Sequence, residues 1–351
     1  AILLSGPGGV GKTTLALDLA AGLLCVAPDR ATRPCGVCRG CRMVAHGNHP
    51  DVHLLGPEGV GRQIVIGGGD GRARGVRDLV GELSLMPVEG GCRVAVVEEA
   101  HRMNEDAQSA LLKTLEEPPA GVTIVLCADE EERLLPTVRS RCARIRLGAV
   151  PARDIEAILA ELAVADPPTA ARLGRLAQGR PGAALAYARA PDAVVIRAEI
   201  VRILLDLVTA RSGPRLAGMR DLLGRAAELG ASLKAALGDE GGAQVSGGPE
   251  PDVVARRTPA GERRDALVGL LSIWMDLTRD LALAELGEVR ALRDPGLLEE
   301  LKAASSGVPR DGYATFLRRL VRAAELLECN VAPELIADSL VLAWPRRAPA
   351  A

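Results

Sequence analysis

Short apolar runs alternate with helical patterns over the first 149 residues of this 351-residue chain, whereas the later residues show helical patterns only. Continuous apolar runs of about 4–8 residues are typical of strands buried on both faces of a parallel sheet. The pattern predicts five strands, at 1–5, 52–55, 93–97, 123–127 and 144–147. It then predicts three short helices at 152–162, 168–178 and 183–190, a longer helix over 197–237, and a last helical block over 263–344.

This order predicts an α/β domain with a parallel sheet over 1–149, followed by two helical domains at 150–207 and 208–351. The second helical domain contains a stretch rich in Gly and Pro, 238–262, which we expect to be flexible. A Gly-rich segment between 56 and 75 is predicted to be a mobile surface loop.

Composition narrows the possible functions. Apolar residues make up 48% of the chain, yet no run approaches the roughly 18 residues of a membrane span. A net charge of −2 and an aromatic content of 1% argue against a broadly basic nucleic-acid binder or a base-stacking platform, so that any DNA contact is local and made to the backbone. No secretory signal is visible, which predicts a cytoplasmic protein without a membrane anchor. The chain begins with Ala rather than Met, so we expect that the natural protein has further residues before Ala1.

Residues 6–13 read GPGGVGKT, a complete phosphate-loop motif between a predicted strand and a predicted helix. Glycines let successive backbone N–H groups turn toward an anion, and the positive end of the following helix points at the same place. The alternative is a chance match in a chain with 39 Gly residues, but only four residues are Lys and one stands where the phosphate charge is needed. The motif therefore predicts ATP and Mg²⁺ binding, with Lys12 on the outer phosphates and Thr13 on the metal.

An apolar strand that ends in two acids, Glu98 and Glu99, is the second half of the predicted site. In phosphate-loop ATPases such acids hold Mg²⁺ and polarise the attacking water. We expect Glu98 to be the acid on the metal side and Glu99 to be the catalytic base, the alternative being solvated charges at a strand end. The residues expected to bind nucleotide and metal are Gly6, Gly8, Gly9, Val10, Gly11, Lys12, Thr13, Thr14 and Glu98.

Four cysteines lie close together in the sequence: Cys35, Cys38 and Cys41 form two overlapping C-x-x-C turns, and Cys25 precedes them. Four thiolates at this spacing predict a closed, structural Zn²⁺ site in an insertion over 25–50. Free or disulfide-paired thiols are the alternative, and nearby histidines are expected to be ordinary loop residues because four Cys fill the shell.

The order of these motifs resembles one family. The phosphate loop, the four-Cys insertion, NHPDVHLL (48–55), VAVVEEAHRMNEDAQSALLKTLEEPPAG (94–121) and ERLLPTVRSRC (132–142) follow one another. This resembles bacterial clamp-loader subunits of the DNA polymerase III holoenzyme, in the AAA+ ATPase superfamily, most of all the delta-prime type, with gamma/tau as a near relative. The resemblance implies an AAA+ fold with a helical lid at 150–207 and a helical collar for oligomerisation at 208–351.

The resemblance also implies roles for single residues. Arg141 matches the arginine that reaches into a neighbouring subunit's ATP site, so it is the expected arginine finger; the alternative is a solvated surface Arg. After the fourth strand the chain has Ala128 and Asp129, where motor subunits carry a hydroxyl residue. In the lid, the motor subunits' arginine aligns with Gly182, although Arg180 is a possible substitute. These departures put efficient hydrolysis at this subunit's own site in doubt.

The sequence thus predicts a delta-prime-like subunit that takes part in ATP-dependent loading of the sliding clamp onto primed DNA. Its implied partners are gamma/tau and delta subunits in a hetero-oligomeric ring, the sliding clamp, and primed DNA through the assembled complex. One alternative is an active gamma/tau-type ATPase motor, favoured by the intact loop and acid pair. Another is a stand-alone phosphate-loop kinase or metal-dependent regulator, in which the arginine motif and helical tail have no role.

Overall fold

A computed structural model describes residues 1–57, 63–67, 74–89, 91–238, 259–306, 308, 310–328 and 331–346. Within these ranges the chain forms two compact units. The first contains Ala1–Pro151 together with the loop Gly179–Gly182, and the second contains the remaining helical segments from Ala152 onward. The separate lid and collar domains stay a prediction.

The first unit is built on a parallel sheet, whose strands in the described residues are β1 (Ile2–Ser5), β2 (Val52–Leu55), β3 (Arg93–Val97), β4 (Val122–Ala128) and β5 (Ala143–Arg146). The strand order is β2-β3-β4-β1-β5, and every pair is parallel. Each predicted strand is confirmed to within one residue at either end. The α/β fold class is therefore confirmed.

Helices cover both faces of this sheet, and they are α1 (Lys12–Leu23), α2 (Arg39–Ala45), α3 (Val76–Leu83), α4 (Glu105–Glu116) and α5 (Pro136–Arg139). Alternate residues of β3 point to opposite faces. Val97 belongs to the core under α3 and α4, whereas Val96 belongs to the core under α1. Both faces of the central strands are buried, which is why β1, β3 and β4 read as continuous apolar runs, whereas the edge strand β5 is exposed.

Helix α4 shows how the sequence sets an element's ends. The side chain of Asn104 accepts a hydrogen bond from the backbone N–H of Ala107 at 2.9 Å, which caps the helix start. Two acids occupy the first turn, and the helix ends at Glu116, before Pro118 and Pro119.

The second unit is helical throughout its described residues, with α6 (Ala152–Glu161), α7 (Pro167–Leu176), α8 (Pro181–Arg189), α9 (Pro191–Thr209), α10 (Ser212–Gly238), α11 (Pro259–Leu286), α12 (Leu298–Ser305), α13 (Arg310–Glu328) and α14 (Pro333–Ala343). The start of α8 belongs to the loop that joins the first unit. Trp274, Phe316 and Trp344 pack together in the core with ring centroids 4.7–5.4 Å apart. None of the helices in the described residues is long and apolar enough to cross a bilayer.

One helix prediction was wrong. The helix predicted over 197–237 is interrupted at Ala210, whose backbone is extended, and α10 restarts at Ser212. Pro214 in the first turn of α10 explains the break, because proline lacks the N–H that an uninterrupted helix needs. The predicted flexible stretch 238–262 lies mostly outside the described residues, but α11 already begins at Pro259.

Candidate functional site

The phosphate loop connects β1 directly to α1. Gly6 has a φ of +145°, and a Cβ added there would lie 2.1 Å from the carbonyl oxygen of Leu147, so only glycine fits. Gly11, with φ +98°, precedes the first residue of α1 in the left-handed region. Val10 is buried and Thr14 is exposed on the first turn of α1. The loop has the backbone that the motif predicts.

Lys12 turns back over this loop. Its Nζ donates to the carbonyl oxygens of Gly6 at 2.8 Å and Pro7 at 2.7 Å. The same atom lies 2.7 Å from a carboxylate oxygen of Asp129, and the lysine side chain is only 6% exposed. The lysine charge is thus held at the mouth of the loop by an acid from the end of β4.

Glu98 and Thr13 lie together beside the loop. The Thr13 hydroxyl is hydrogen-bonded to the Glu98 carboxylate. Burial raises the pKa of Glu98, the hydrogen bond from Thr13 opposes this, and the charge of Glu99 adds to the rise. A loop hydroxyl next to a strand-end acid is the pair of ligands that phosphate-loop proteins use for Mg²⁺.

Glu99 has an unusual backbone conformation. Its φ of 45° lies in the left-handed region, which is uncommon for a residue other than glycine and frequent at functional sites. Its carboxylate forms an ion pair with Arg102, three residues along the chain. The carboxylate of the expected catalytic base is therefore paired with a cation of its own chain.

Asp129 and His101 are site residues whose roles the sequence alone did not reveal. The backbone N–H of Asp129 donates to Nδ1 of His101 at 3.2 Å. Burial lowers the pKa of His101, which keeps Nδ1 available as an acceptor. In the sequence, Asp129 was noted only as a departure from the hydroxyl residue that motor subunits carry after the fourth strand. Its contact with Lys12 was not predicted.

Arg180 approaches the loop from the segment Gly179–Gly182, which belongs to the same unit. A Cβ added to Gly9 would lie 3.2 Å from Cδ of Arg180. By contrast, a Cβ added to Gly182 would meet nothing within 4 Å. The arginine that lies against the loop is therefore Arg180, the substitute considered in the sequence.

The four cysteines expected to bind metal come together at the start of the insertion. Their Sγ atoms all lie within 4.8 Å of one another, and those of Cys25 and Cys38 are 4.0 Å apart. Zn–S bonds of about 2.3 Å in a tetrahedron place sulfur atoms about 3.8 Å apart, so the set fits zinc.

Backbone N–H groups prepare two of these sulfurs for a metal. The N–H of Ala27 lies 3.4 Å from the sulfur of Cys25, and that of Cys41 lies 3.5 Å from the sulfur of Cys38. These hydrogen bonds hold the pKa of Cys25 below its usual value and lower that of Cys38 to about 6. In these two cysteines the thiolate, the form that binds zinc, is thereby favoured, whereas burial raises the pKa of Cys41 to about 12.

The nearby histidines have other partners. The ring of His46 is 2.6 Å from the carbonyl oxygen of Arg42, and His49 accepts from the N–H of Asp51 at 3.1 Å. His53 lies 2.8 Å from Glu82. His46 and His49 are loop residues with partners outside the cysteine cluster, as expected. His53 lies on β2, so the expectation of a loop residue was wrong for this histidine.

The NHPDVHLL motif anchors the loop that precedes β3. The carboxylate of Asp51 accepts hydrogen bonds from the N–H groups of Val88 at 2.7 Å and Glu89 at 2.8 Å. Buried Arg93 donates to the carbonyl oxygen of Glu82 at 2.6 Å. From the sequence, Arg93 was predicted only to be part of the strand 93–97, so this anchoring role was missed.

Arg141 lies at the surface, just before the edge strand β5. Its Nε donates to Glu116 at 2.7 Å and its Nη1 donates to the carbonyl oxygen of Thr137 at 2.9 Å. The side chain is 33% exposed. These partners lie at the end of α4 and on α5, so its own chain holds the guanidinium on the surface.

The parallel sheet, the glycine-rich loop with its buried lysine, and the acids after β3 define a phosphate-loop α/β unit. Residues 1–151 match the family model described as DNA polymerase III, delta subunit. The resemblance to DNA polymerase III subunits of the delta-prime type is therefore confirmed for the N-terminal part of the chain.

Two delta-prime subunits show the extent of this similarity. The delta-prime subunit of DNA polymerase III from Pseudomonas aeruginosa is 43% identical over 144 residues, which are 41% of this chain and 42% of that protein. The delta-prime subunit from Escherichia coli is 38% identical over 187 residues, 53% of either chain. This chain thus spans about half the length of these relatives or less.

A tau subunit is also similar. The DNA polymerase III subunit tau from Salmonella typhimurium is 38% identical over 184 residues, which are 51% of this chain and 27% of that protein. The near relationship to gamma/tau that the motifs implied is confirmed over this segment.

Proposed function

We propose that this chain is a delta-prime-type clamp-loader subunit that takes part in ATP-dependent loading of the sliding clamp onto primed DNA. The observation that carries the proposal is the match of residues 1–151 to this family. In the same unit, a phosphate loop is followed by a compact four-cysteine cluster. The proposed partners are delta and gamma/tau subunits in a cytoplasmic ring, the clamp, and primed DNA.

Within such a ring, the chain is proposed to be a poor ATPase at its own site. Lys12 is paired with the carboxylate of Asp129. Motor subunits of this family are expected to carry a hydroxyl residue at that position, which would leave the lysine free for phosphate. The acid from β4 adds negative charge where a phosphoryl group must be stabilised during transfer.

A gamma/tau-type motor is the second candidate, and specific contacts favour it. Thr13 and Glu98 form the pair that a Mg²⁺ ion requires. Glu99 is the proposed catalytic base, and Arg180 lies against the loop. In this case the chain would turn over ATP without a partner's help.

Arg141 is proposed to act in trans, on nucleotide bound by a neighbouring subunit. Its ion pair with Glu116 is partly exposed, and such pairs contribute only about 0–1 kcal/mol. The guanidinium can therefore leave Glu116 at little cost when a neighbour presents a phosphate. An arginine finger of this kind is worth about 10³–10⁵ in rate at the site that it serves.

Zinc is proposed to hold the 25–50 insertion together through Cys25, Cys35, Cys38 and Cys41. All four ligands are thiolates and no position is left open, which is typical of a structural site. Metal binding and local folding are then coupled.

Steady-state ATPase assays test the proposal, first with the isolated chain and then with delta, gamma/tau, clamp and primed DNA. A delta-prime role predicts negligible turnover alone and a turnover in the complex that depends on this chain. Rapid turnover by the isolated chain that rises further in the ring would favour the motor. Turnover that does not change when the partners are added would favour a stand-alone enzyme, and it would contradict both the delta-prime role and the motor.

The Arg141→Ala variant tests the trans role. It should assemble normally yet lower DNA-stimulated ATPase at least tenfold at the neighbouring site. The matched control is Arg153→Ala, which removes an arginine that is 85% exposed. Equal effects of the two substitutions would show that Arg141 is only a surface charge.

A further inference from the structure

The carboxylate of Asp129 lies against the phosphate loop, and its side chain is 36% exposed. One oxygen is 2.7 Å from Nζ of Lys12. The other would be 2.8 Å from a Cβ placed on Gly8. Asp129 thus lies against both the loop backbone and its lysine, the groups that a phosphate loop offers to the β- and γ-phosphates of a nucleotide.

The position of this acid is fixed by its backbone. Asp129 directly follows β4, and the N–H of Gly6 donates to the carbonyl oxygen of Ala128 at 3.2 Å. The N–H of Asp129 itself is held by Nδ1 of the buried His101 at 3.2 Å. Strand end and loop start are therefore tied together, which keeps the carboxylate near Lys12.

The charges around the site favour a nucleotide that carries fewer phosphate groups. Lys12 and Arg180 are cations beside the loop, whereas Asp129 and Glu98 contribute negative charge and Glu99 is paired with Arg102. A β-phosphate can be held by the loop N–H groups alone. A γ-phosphate would have to share Lys12 with Asp129, and like charges at this separation repel each other.

We propose that this site binds a nucleoside diphosphate in preference to a triphosphate, because the Asp129 carboxylate occupies the side of Lys12 that a γ-phosphate requires. The inference rests on the proposed nucleotide binding and adds a preference for the diphosphate over the triphosphate. The bound diphosphate would be a stable component of the subunit rather than a product of its own turnover.

Isothermal titration calorimetry of the isolated chain with Mg²⁺-ADP and Mg²⁺-ATP, at equal ionic strength, tests the inference. The wild-type chain should bind ADP at least tenfold more tightly than ATP. Asp129→Asn, and independently Asp129→Ser, should raise the affinity for ATP at least fivefold and change the affinity for ADP by less than twofold. Circular dichroism and thermal unfolding of both variants establish that they fold.

Glu130→Gln is the matched control, since it removes an exposed negative charge one residue further along the chain. It should leave the preference for ADP intact. Equal affinities of the wild-type chain for ADP and ATP, or an equal gain for both nucleotides in the Asp129 variants, would overturn the inference. Absence of binding by either nucleotide would also overturn it, while the clamp-loader role, which is tested by reconstitution, would stand.

Discussion

Replacing Arg215 should lower the stability of the helical unit more than replacing an exposed arginine. The side chain is fully buried, and its guanidinium donates to five main-chain carbonyl oxygens, those of Val208, Ala210, Val341, Trp344 and Pro345. Two of these carbonyls come from the end of α9 and three from the end of α14. A single cation therefore satisfies the carbonyl groups that two helix ends leave without intrahelical partners.

The size of the effect follows from these contacts. Hydrogen bonds to a charged group contribute about 1.5 kcal/mol each at the lower end of the usual range. Burial lowers the pKa of Arg215 to about 10, and this shift corresponds to a penalty of about 3 kcal/mol on the charged form. The difference predicts that Arg215→Met lowers the free energy of unfolding by roughly 4 kcal/mol.

Tryptophan fluorescence is the assay. The chain has two tryptophans, Trp274 and Trp344, and both belong to the aromatic cluster of the helical unit. Trp344 is also one of the residues whose carbonyl Arg215 contacts. Urea titrations followed by this signal therefore report on the unit in which the arginine lies.

A graded series makes the test specific. Arg215→Lys keeps the charge but has fewer donors, so its loss should be intermediate. Arg220→Met, at an exposed position of the same helix, should change stability by less than about 0.5 kcal/mol. A decrease of less than about 1 kcal/mol in the free energy of unfolding for Arg215→Met would refute the reasoning, because the loss of five hydrogen bonds at two buried helix ends should cost more.

Three further predictions follow from other sites. Elemental analysis should find one zinc per wild-type chain, less than a tenth of an equivalent in Cys41→Ser, and an unchanged content in Cys142→Ser. Burial raises the pKa of Asp280 to about 6, so the stability that its neutral form contributes is present at low pH and is lost as the pH rises through 6. Urea titrations should therefore show that Asp280→Asn is more stabilising at pH 7.5 than at pH 4.5, by about 2 kcal/mol, and equal effects at both pH values would contradict the assignment. Lys12→Ala should weaken nucleotide binding at least tenfold by calorimetry, about 1.4 kcal/mol, since it removes a charge-assisted phosphate contact; unchanged affinity would mean that the loop does not bind phosphate.

Local patterns in the sequence were sufficient for much of the fold. The apolar runs located β1, β3 and β4, because both faces of the sheet are buried there and period-2 alternation is absent. The edge strand β5 was located as well, although its four residues alternate with arginine and are exposed. Asn104 and the two prolines after α4 set that helix's ends for reasons confined to neighbouring residues. The break at Ala210 was missed although Pro214, in the first turn of α10, signals it.

The candidate site was predictable only where its parts are contiguous. The loop, the acids Glu98 and Glu99 and the four cysteines each form a short motif. The contact of Lys12 with Asp129 joins residues more than a hundred positions apart, and it depends on β1 and β4 being neighbours in the sheet. The sequence predicts those strands but not their order, so it could not place an acid from one against a lysine that follows the other.

Clamp loading by a reconstituted complex tests the central claim most directly. Delta and gamma/tau subunits from the same bacterium would be mixed with clamp, primed DNA and ATP, with and without this chain, and the rate of clamp transfer to DNA would be measured. The account predicts that the chain enters the ring and that its omission lowers the loading rate at least tenfold. An equal loading rate without the chain, or a chain that does not join the complex, would contradict the account.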